Sequence, residues 1–399
     1  MASLSENKKF HLINEYVCTR LKLHGEQAKQ LLIDNEWTEA GLSDAETIFI
    51  NTCAFLSKKE EQAADRIRAL GENKRTTQDL VVFGCLPFIN PGILHGMEVD
   101  YLTTRGISGF IEKYHLANKE TKIGHNFERK LNKLSQINRL LNKALFHDSY
   151  FEYLYEPEKA CHLQIASGCS GSCSFCCEKL ARGKLSSRPV AEIMTEFKKG
   201  YEQGFRIFSL NADDVGVYGK DKDENVAALI EEILNQGKDF KLVLTEFNPW
   251  GLIRYREKMT KLLQSPQIVF ITIPLQSGSQ KILQWMKRPY RVDEVMEIVR
   301  EVKSANPQLK INTHLITGFP GETEKDFQSS LNLVKTSLFN KLKVFNYSDR
   351  QGTPSSQMAG KISEKEKDRR KSALISTHLL QLASRLDLKG ILLNLGSYY

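Results

Sequence analysis

Between residues 162 and 347 short apolar, β-branched runs recur, with helical patterns separating most of them: HLQIAS, FRIFSL, KLVLTEF, IVFITIPL, LKINTHLIT and KLKVFNY. Runs of this length and composition read as strands, and their alternation with helical segments reads as a parallel sheet of β-α units. Two intervening segments show the logic. In SRPVAEIMTEFKKGYEQG the Ser187 to Pro189 stretch supplies a start, Ile193, Phe197 and Tyr201 share one face at four-residue spacing, and Gly204 supplies the stop. In RVDEVMEIVREVKSA, Val292, Val295, Met296, Val299 and Val302 fall on a single stripe, which reads as core with no cofactor role. Six such units predict a partial (β/α)6 barrel, in which functional groups gather on loops at the carboxyl ends of the strands.

The amino-terminal part repeats the rhythm on a smaller scale, with strand-like HLINEYV, AETIFINT and DLVVFG. It predicts an open parallel α/β sheet whose strand ends lie along one edge. The fold class expected is therefore α/β, with a sheet domain at 1–110, a basic helical linker at 111–155, a barrel at 156–362 and a helical tail at 363–399. A chain of 399 residues with 41% hydrophobic content can bury cores for two domains or more. Its longest apolar runs are strand-sized, far short of the ~20 residues a membrane-spanning helix requires, so no membrane partner is expected. The net charge of +8 favours an anionic partner, although a lysine-rich solvated surface explains it about as well. The start MASLSENKKF has no apolar signal segment, which points to a cytoplasmic, reducing location and argues against disulfides.

Cysteine placement changes the picture. Directly after the first barrel strand, GCSGSCSFC carries Cys169, Cys173 and Cys176 in a C-x3-C-x2-C spacing. Three thiolates on one short loop can hold three irons of a 4Fe-4S cube and leave the fourth iron to a substrate or cofactor. S-adenosylmethionine, bound through its amino and carboxylate groups, is the cofactor expected there. Structural zinc sites usually pair C-x2-C units and close with four ligands, so zinc fits this loop less well. Cys18, Cys53 and Cys85 each follow an amino-terminal apolar run. Thiols at three strand ends can converge on a second cluster, while each taken singly is an ordinary buried, hydrophobe-like cysteine. Both readings stand at this point. Cys161 and Cys177 fit neither group and read as spare thiols, Cys177 lying near enough to the loop to misligate it.

NTC at Asn51 to Cys53, GC at Gly84 and Cys85, the loop GCSGSCSFC, PLQSGS at Pro274 to Ser279 and GFPGETEKDF from Gly318 together resemble the radical-SAM methylthiotransferase family, over roughly residues 10 to 375. The resemblance implies an enzyme that builds a methylthio group onto unactivated carbon. It implies two 4Fe-4S clusters, an auxiliary one on Cys18, Cys53 and Cys85 and a SAM-binding one on Cys169, Cys173 and Cys176. It also implies two SAM molecules per product, an electron donor such as flavodoxin or ferredoxin, and a sulfur donor. KLARGKLSS, DDVGVYGKD and MKRPYRVDE look most like the archaeal and eukaryotic branch that modifies N6-threonylcarbamoyladenosine at position 37 of tRNA. A tRNA is thus the expected partner. The same reaction on a peptide or protein side chain is the alternative within chemistry, and a cluster-binding redox or iron sensor the alternative outside it.

Other residues take roles from their places in the loop and at strand ends, with a core aromatic as the alternative for Phe175 and an ordinary glycine turn as the alternative for Gly318 to Gly321. Phe175 is expected beside the adenine of SAM, Asp213 and Asp214 at polar contacts, and Gln276, Ser277 and Gly278 at the ribose and methionine parts. Gly318, Pro320 and Gly321 would let the backbone approach the adenine closely. Arg182 would counter thiolate charge or bind a substrate carboxylate. Two departures stand out. Family members carry a β-barrel RNA-binding domain after the barrel, and this chain stops at ILLNLGSYY. The stretch KETKIGHNFERKLNKLSQINRLLNK and the tail ISEKEKDRRK remain as candidates for phosphate contacts, a solvated helix face explaining both as well. Second, His314 stands where the family has aspartate, and an imidazole cannot reproduce a carboxylate's acceptor-only pattern. It is a candidate substrate contact or a barrel-lining residue.

Overall fold

The computed structural model describes residues 8–14, 17–117, 136–137, 140, 153, 157–288, 290–336 and 338–395. Most of the expected linker, including most of the basic stretch inside it, lies outside the described residues. The chain forms two compact units, and neither is one continuous stretch of sequence: the first combines residues 1–127, 176–183 and 348–352, and the second takes the remainder.

In the first unit, β1 (Lys9–Ile13), β2 (Thr38–Glu39), β3 (Thr47–Thr52), β4 (Asp79–Gly84) and β5 (Asp100–Tyr101) form a sheet of order β2-β1-β3-β4-β5 in which every pair is parallel. β3 is buried along its whole length, as a parallel strand covered on both faces must be. Ile48, Ile50, Leu80 and Val82 enter one apolar cluster, and Phe10, Phe49, Val81 and Phe83 enter another, so alternate residues feed opposite faces. Cys53 directly follows β3 and Cys85 directly follows β4, while Cys18 precedes the helix Thr19–Asp34 that follows β1. Since β1, β3 and β4 are sheet neighbours, all three thiols belong to one sheet edge.

The two short insertions are fastened into this unit by polar contacts. Arg105 Nη2 donates to Leu180 O at 2.8 Å, and Arg20 pairs with Glu178 at 3.0 Å. From the other insertion, buried Arg350 donates to Ala54 O at 2.6 Å and pairs with buried Glu60.

In the second unit, all six predicted runs are strands: β6 (Ala160–Gln164), β9 (Ile207–Asn211), β10 (Lys241–Leu244), β11 (Ile268–Thr272), β12 (Lys310–Thr317) and β13 (Lys341–Asn346). They pair in parallel in sequential order, as a partial barrel requires. Two-residue strands β7 (Ala166–Ser167) and β8 (Ser186–Ser187) pair antiparallel and bracket the cysteine loop in sequence. The helix Val190–Glu202 buries Ile193 and Phe197, and the helix Val292–Ala305 buries Val295, Met296, Ile298, Val299 and Val302.

Alternation along the strands separates two kinds of face. Leu163, Phe208, Leu210, Leu242, Leu244, Ile271, Leu315 and Leu342 join the large core shared with the helices. The other face starts with an apolar layer of Ala160, Ile207, Val243 and Phe270 under Tyr153. Towards the carboxyl ends it turns polar, with His162, Gln164, Ser209, Asn211, Thr272, Asn312 and His314.

Candidate active site

The cysteine loop is tied down at both ends. Gly168 N donates to Asp213 Oδ2 at 2.7 Å, and at the far end Ser174 N donates to Met286 O at 3.0 Å while its Oγ donates to Trp285 O at 2.7 Å. Between these anchors a Cβ added at Gly171 would lie 3.2 Å from Cys169 Sγ and 3.9 Å from Cys173 Sγ. Both sulfurs therefore border one small space, which a side chain at 171 would fill. Arg288, buried, donates from Nη1 to Cys173 Sγ at 3.4 Å and from Nη2 to Pro274 O at 2.8 Å, joining the loop to the PLQSGS turn. Burial, then the neighbouring Asp214 charge, pushes the Cys169 thiol up to about 12. Such a thiol is neutral in water and gives up its proton on binding metal. Among the described residues no group of three His, Cys, Asp or Glu side chains converges tightly enough for a single ion. Thiols on different irons of a cube stand further apart than ligands of one ion. A thiol set on one loop, backed by a buried guanidinium, fits a cluster.

Cys176 is half-buried and opens the segment that folds with the first unit. The other expected cofactor residues have these places. Phe175 packs, half-buried, against the barrel core. Asp214 is buried and accepts from Gly216 N at 3.0 Å and Asn248 Nδ2 at 2.9 Å, and burial raises its carboxyl pKa. Gln276 and His314 come together: Gln276 N donates to His314 O at 2.7 Å, and Ile316 N donates to Gln276 O at 2.8 Å. Ser277 is buried and its Oγ accepts from Ser279 N at 3.1 Å. Gly278 lies so near the helix Glu324–Lys335 that a Cβ would stand 2.4 Å from Ser329 O.

The turn bearing Gly318, Pro320 and Gly321 is braced through Glu322, which accepts from Gly318 N at 2.7 Å and from Arg370 Nη1 at 2.7 Å. This bears on the basic tail. In the helix Glu364–Ser384, Arg370 and Lys367 are buried, Lys367 Nζ donating to Tyr347 O at 2.9 Å, and Arg369 pairs with Glu324 at 2.8 Å. Three cations of ISEKEKDRRK are thus engaged with protein, so the run is not simply a solvated face.

In the first unit Cys18 is exposed, Cys53 half-buried and Cys85 buried. Burial, then the charge of Cys18, pushes Cys53 up to about 11. Cys85 stands well above the ordinary thiol value through burial; Arg182 opposes the rise, while Cys18 and Cys53 add to it. The three thiols are within electrostatic range of one another, with Arg182 set against Cys85 and Lys59 against Cys53. Arg182 also lines a cavity of about 20 Å³ with His24, Gly84 and Thr104, room for a single water-sized group. Cys161 lies fully buried in the barrel core with its thiol near 12 through burial, and Cys177 is buried beside Phe55 O and near 11 for the same first reason.

These differences predict a labelling order. A thiol at about 11 is ionised roughly one part in a thousand at pH 8. Iodoacetamide should therefore label exposed Cys18 of the metal-free protein well ahead of Cys53, Cys161 and Cys177, as read by peptide mass mapping. Labelling of Cys161 as fast as Cys18 would contradict its place in the core.

Sequence reasoning did not single out Arg288, Glu246, Glu322, Arg370, Glu60 or Arg350. The polar inner layer did carry a signal, a polar residue at every second position in HLQ, SLN and NTH.

Comparison with known proteins gives the family. The Radical SAM superfamily model matches residues 163–334, and a model described as uncharacterized protein family UPF0004 matches residues 11–101. The fold and cysteine loop thus define a radical SAM protein. A probable threonylcarbamoyladenosine tRNA methylthiotransferase of Pyrococcus horikoshii is 30% identical over 343 residues, spanning 86% of this chain and 77% of the relative. A ribosomal protein uS12 methylthiotransferase of Citrifermentans bemidjiense is 30% identical over 342 residues, spanning 84% and 73%. The chain belongs to the radical-SAM methylthiotransferase family and is an enzyme of that kind, and its radical SAM domain implies a 4Fe-4S cluster and SAM. The fold also resembles a solved radical S-adenosylmethionine methyltransferase from Kitasatospora setae, with TM-score 0.61 at 11% identity, covering 88% of this chain and 75% of that one. Among the described residues no helix is long and apolar enough to cross a membrane.

Proposed function

We propose that this enzyme methylthiolates N6-threonylcarbamoyladenosine at position 37 of tRNA, using two 4Fe-4S clusters. The observation that carries the substrate is the likeness to relatives named for that nucleoside, 30% identical over 86% of the chain. The second cluster is supported by three thiols at neighbouring strand ends, each felt electrostatically by another. In this reading Cys169, Cys173 and Cys176 hold the SAM-binding cluster, and Cys18, Cys53 and Cys85 hold the auxiliary one. Once bound, clusters and SAM supply a 5'-deoxyadenosyl radical for hydrogen abstraction and a sulfur species for the new bond.

The chain's own residues bind and orient. Arg288 and Arg182 offset thiolate charge in their respective units. Phe175, Asp213, Asp214, Gln276, Ser277, Gly278, Gly318, Pro320 and Gly321 form the SAM surface. The apolar layer of Ala160, Ile207, Val243 and Phe270 closes the floor of the barrel's inner face, keeping water from a radical. An electron donor and a sulfur donor act as partners. Methylthiolation of a ribosomal-protein side chain is the second reading, favoured by the relative named for uS12.

Mass spectrometry of tRNA nucleosides from cells with and without the gene tests the substrate. The expected result is loss of the methylthio derivative of threonylcarbamoyladenosine without the gene. An unchanged nucleoside profile together with loss of a +46 Da mass shift, roughly one CH3S for one H, on a ribosomal-protein peptide would replace the tRNA reading by the second. If reduced, cluster-loaded protein makes no 5'-deoxyadenosine from SAM, both readings fail.

A further inference from the structure

Asn51, two residues before Cys53 at the carboxyl end of β3, is 3% exposed, and its side chain reaches across to the chain around Cys18. Its Nδ2 donates to Asn14 Oδ1 at 2.8 Å and to Leu21 O at 2.6 Å. Asn14 Nδ2 donates in turn to Lys22 O at 2.9 Å and to Glu26 Oε1 at 3.1 Å. Asn14 directly follows β1, whereas Leu21 and Lys22 lie in the first turn of the helix Thr19–Asp34. The two amides therefore fasten the start of the segment that carries Cys18 to its end. Without such a clasp, an exposed thiol on a connecting segment would sample many positions.

Two glycines make room for this clasp. Gly25 lies inside the helix, where glycine is the least favourable residue after proline. A Cβ there would overlap Asn14 Oδ1, so the helix forgoes a side chain and the amide is seated against it. Gly84, directly before Cys85, has φ 94°, and a Cβ on it would stand 2.5 Å from Asn51 Oδ1 and 2.6 Å from Thr52 O. Thr52 O accepts from Cys85 N at 2.8 Å, and Thr52 Oγ1 donates to Phe83 O at 2.6 Å. One buried amide thus borders the chain beside each of Cys18, Cys53 and Cys85.

We propose that Asn14, Gly25 and Asn51 are positioning residues that set the place of Cys18 relative to Cys53 and Cys85 for cluster binding. This rests on the two-cluster reading above and adds the groups that shape the auxiliary set. The test uses the full chain carrying Cys169→Ala, Cys173→Ala and Cys176→Ala, so that bound iron reports the auxiliary set alone. Reconstituted anaerobically with iron and sulfide, this parent should hold about four irons, and their release to a chelator is followed by the loss of cluster absorbance. Gly25→Ala removes no hydrogen-bonding group and adds a better helix former, yet displaces the Asn14 amide. Asn51→Leu keeps the branched shape and cannot donate. Each should speed release roughly tenfold, the scale on which groups behind metal ligands act.

Gln78→Leu is the control. Gln78 is 4% exposed and donates to Leu42 O at 2.9 Å and Ala45 O at 2.7 Å, ahead of β4 and so at the opposite edge of the same sheet. It should release iron within about twofold of the parent rate. Release from the Gln78 variant as fast as from the other two would mean general loosening and overturn the proposal. So would an unchanged rate in Gly25→Ala, the variant that decides should Asn51→Leu fail to fold. A parent that binds no iron would defeat the two-cluster reading first, and this inference with it.

Discussion

Replacing Cys18, Cys53 and Cys85 together by alanine is expected to remove about half of the bound iron and all methylthiolated product, while SAM is still cleaved to 5'-deoxyadenosine. The reasoning is one of separation. Cys18, Cys53 and Cys85 lie at strand ends of one unit; Cys169, Cys173 and Arg288 belong to the other with their own contacts, and Cys176 opens an insertion of the first unit that Arg20 and Arg105 fasten without help from the three thiols. Losing the first set should leave the second able to bind its cluster. Thiol-to-methyl truncation is itself mild, on the order of 1 kcal/mol for a buried position such as Cys85. Iron and sulfide analysis with 5'-deoxyadenosine quantification decides it. Undiminished iron would mean that the amino-terminal thiols are structural, and loss of all iron would mean that the two sets do not load separately.

Arg350→Met should be strongly destabilising, at about 3–5 kcal/mol. Arg350 is 6% exposed and its partner Glu60 is 8% exposed, so removing the cation leaves a carboxylate with little water. Asn90 Nδ2, donating to Glu60 Oε1 at 2.6 Å, is a neutral neighbour and cannot replace the charge. The same guanidinium holds Ala54 O, one residue past Cys53, and bonds the Cys177 thiol. Its loss should therefore loosen the Cys53 loop as well. Differential scanning fluorimetry should show a fall on the order of 10 °C in the midpoint of that unit. The double variant Glu60→Gln with Arg350→Met should recover much of the loss, because a stranded charge costs more than a missing pair. A double variant as unstable as the single one would assign the effect to packing of the side chain.

How far the sequence reveals this molecule depends on the range of each interaction. The six strands of the second unit were legible because a parallel strand is flanked by covered faces and becomes an apolar run, as in IVFIT of β11. GCSGSCSFC was legible because all its chemistry lies within nine residues. The grip of Arg350 on Glu60 was not, since 290 residues separate the partners and neither neighbourhood signals the other. Lys367 and Arg370 read as part of a charged helix face because spacing shows only which residues share a side. What that side meets, here Glu322 and Tyr347, is tertiary information. Glu246 was hidden for a different reason: a left-handed glutamate has no sequence signature, the surroundings impose it.

The insertion of residues 348–352 into the first unit has a consequence for synthesis. A nascent chain usually completes its amino-terminal domain while later residues are still being added, at roughly 5–20 residues per second. Here Glu60 emerges from the ribosome long before Arg350 exists to neutralise it. Until nearly the whole barrel sequence has been translated, the amino-terminal unit lacks residues 348–352 and the cation that pairs with Glu60. For that interval the loop after Cys53 also lacks the guanidinium that holds Ala54 O, which makes a cluster carrier acting after the barrel is translated more useful to this protein than one acting on the first domain alone.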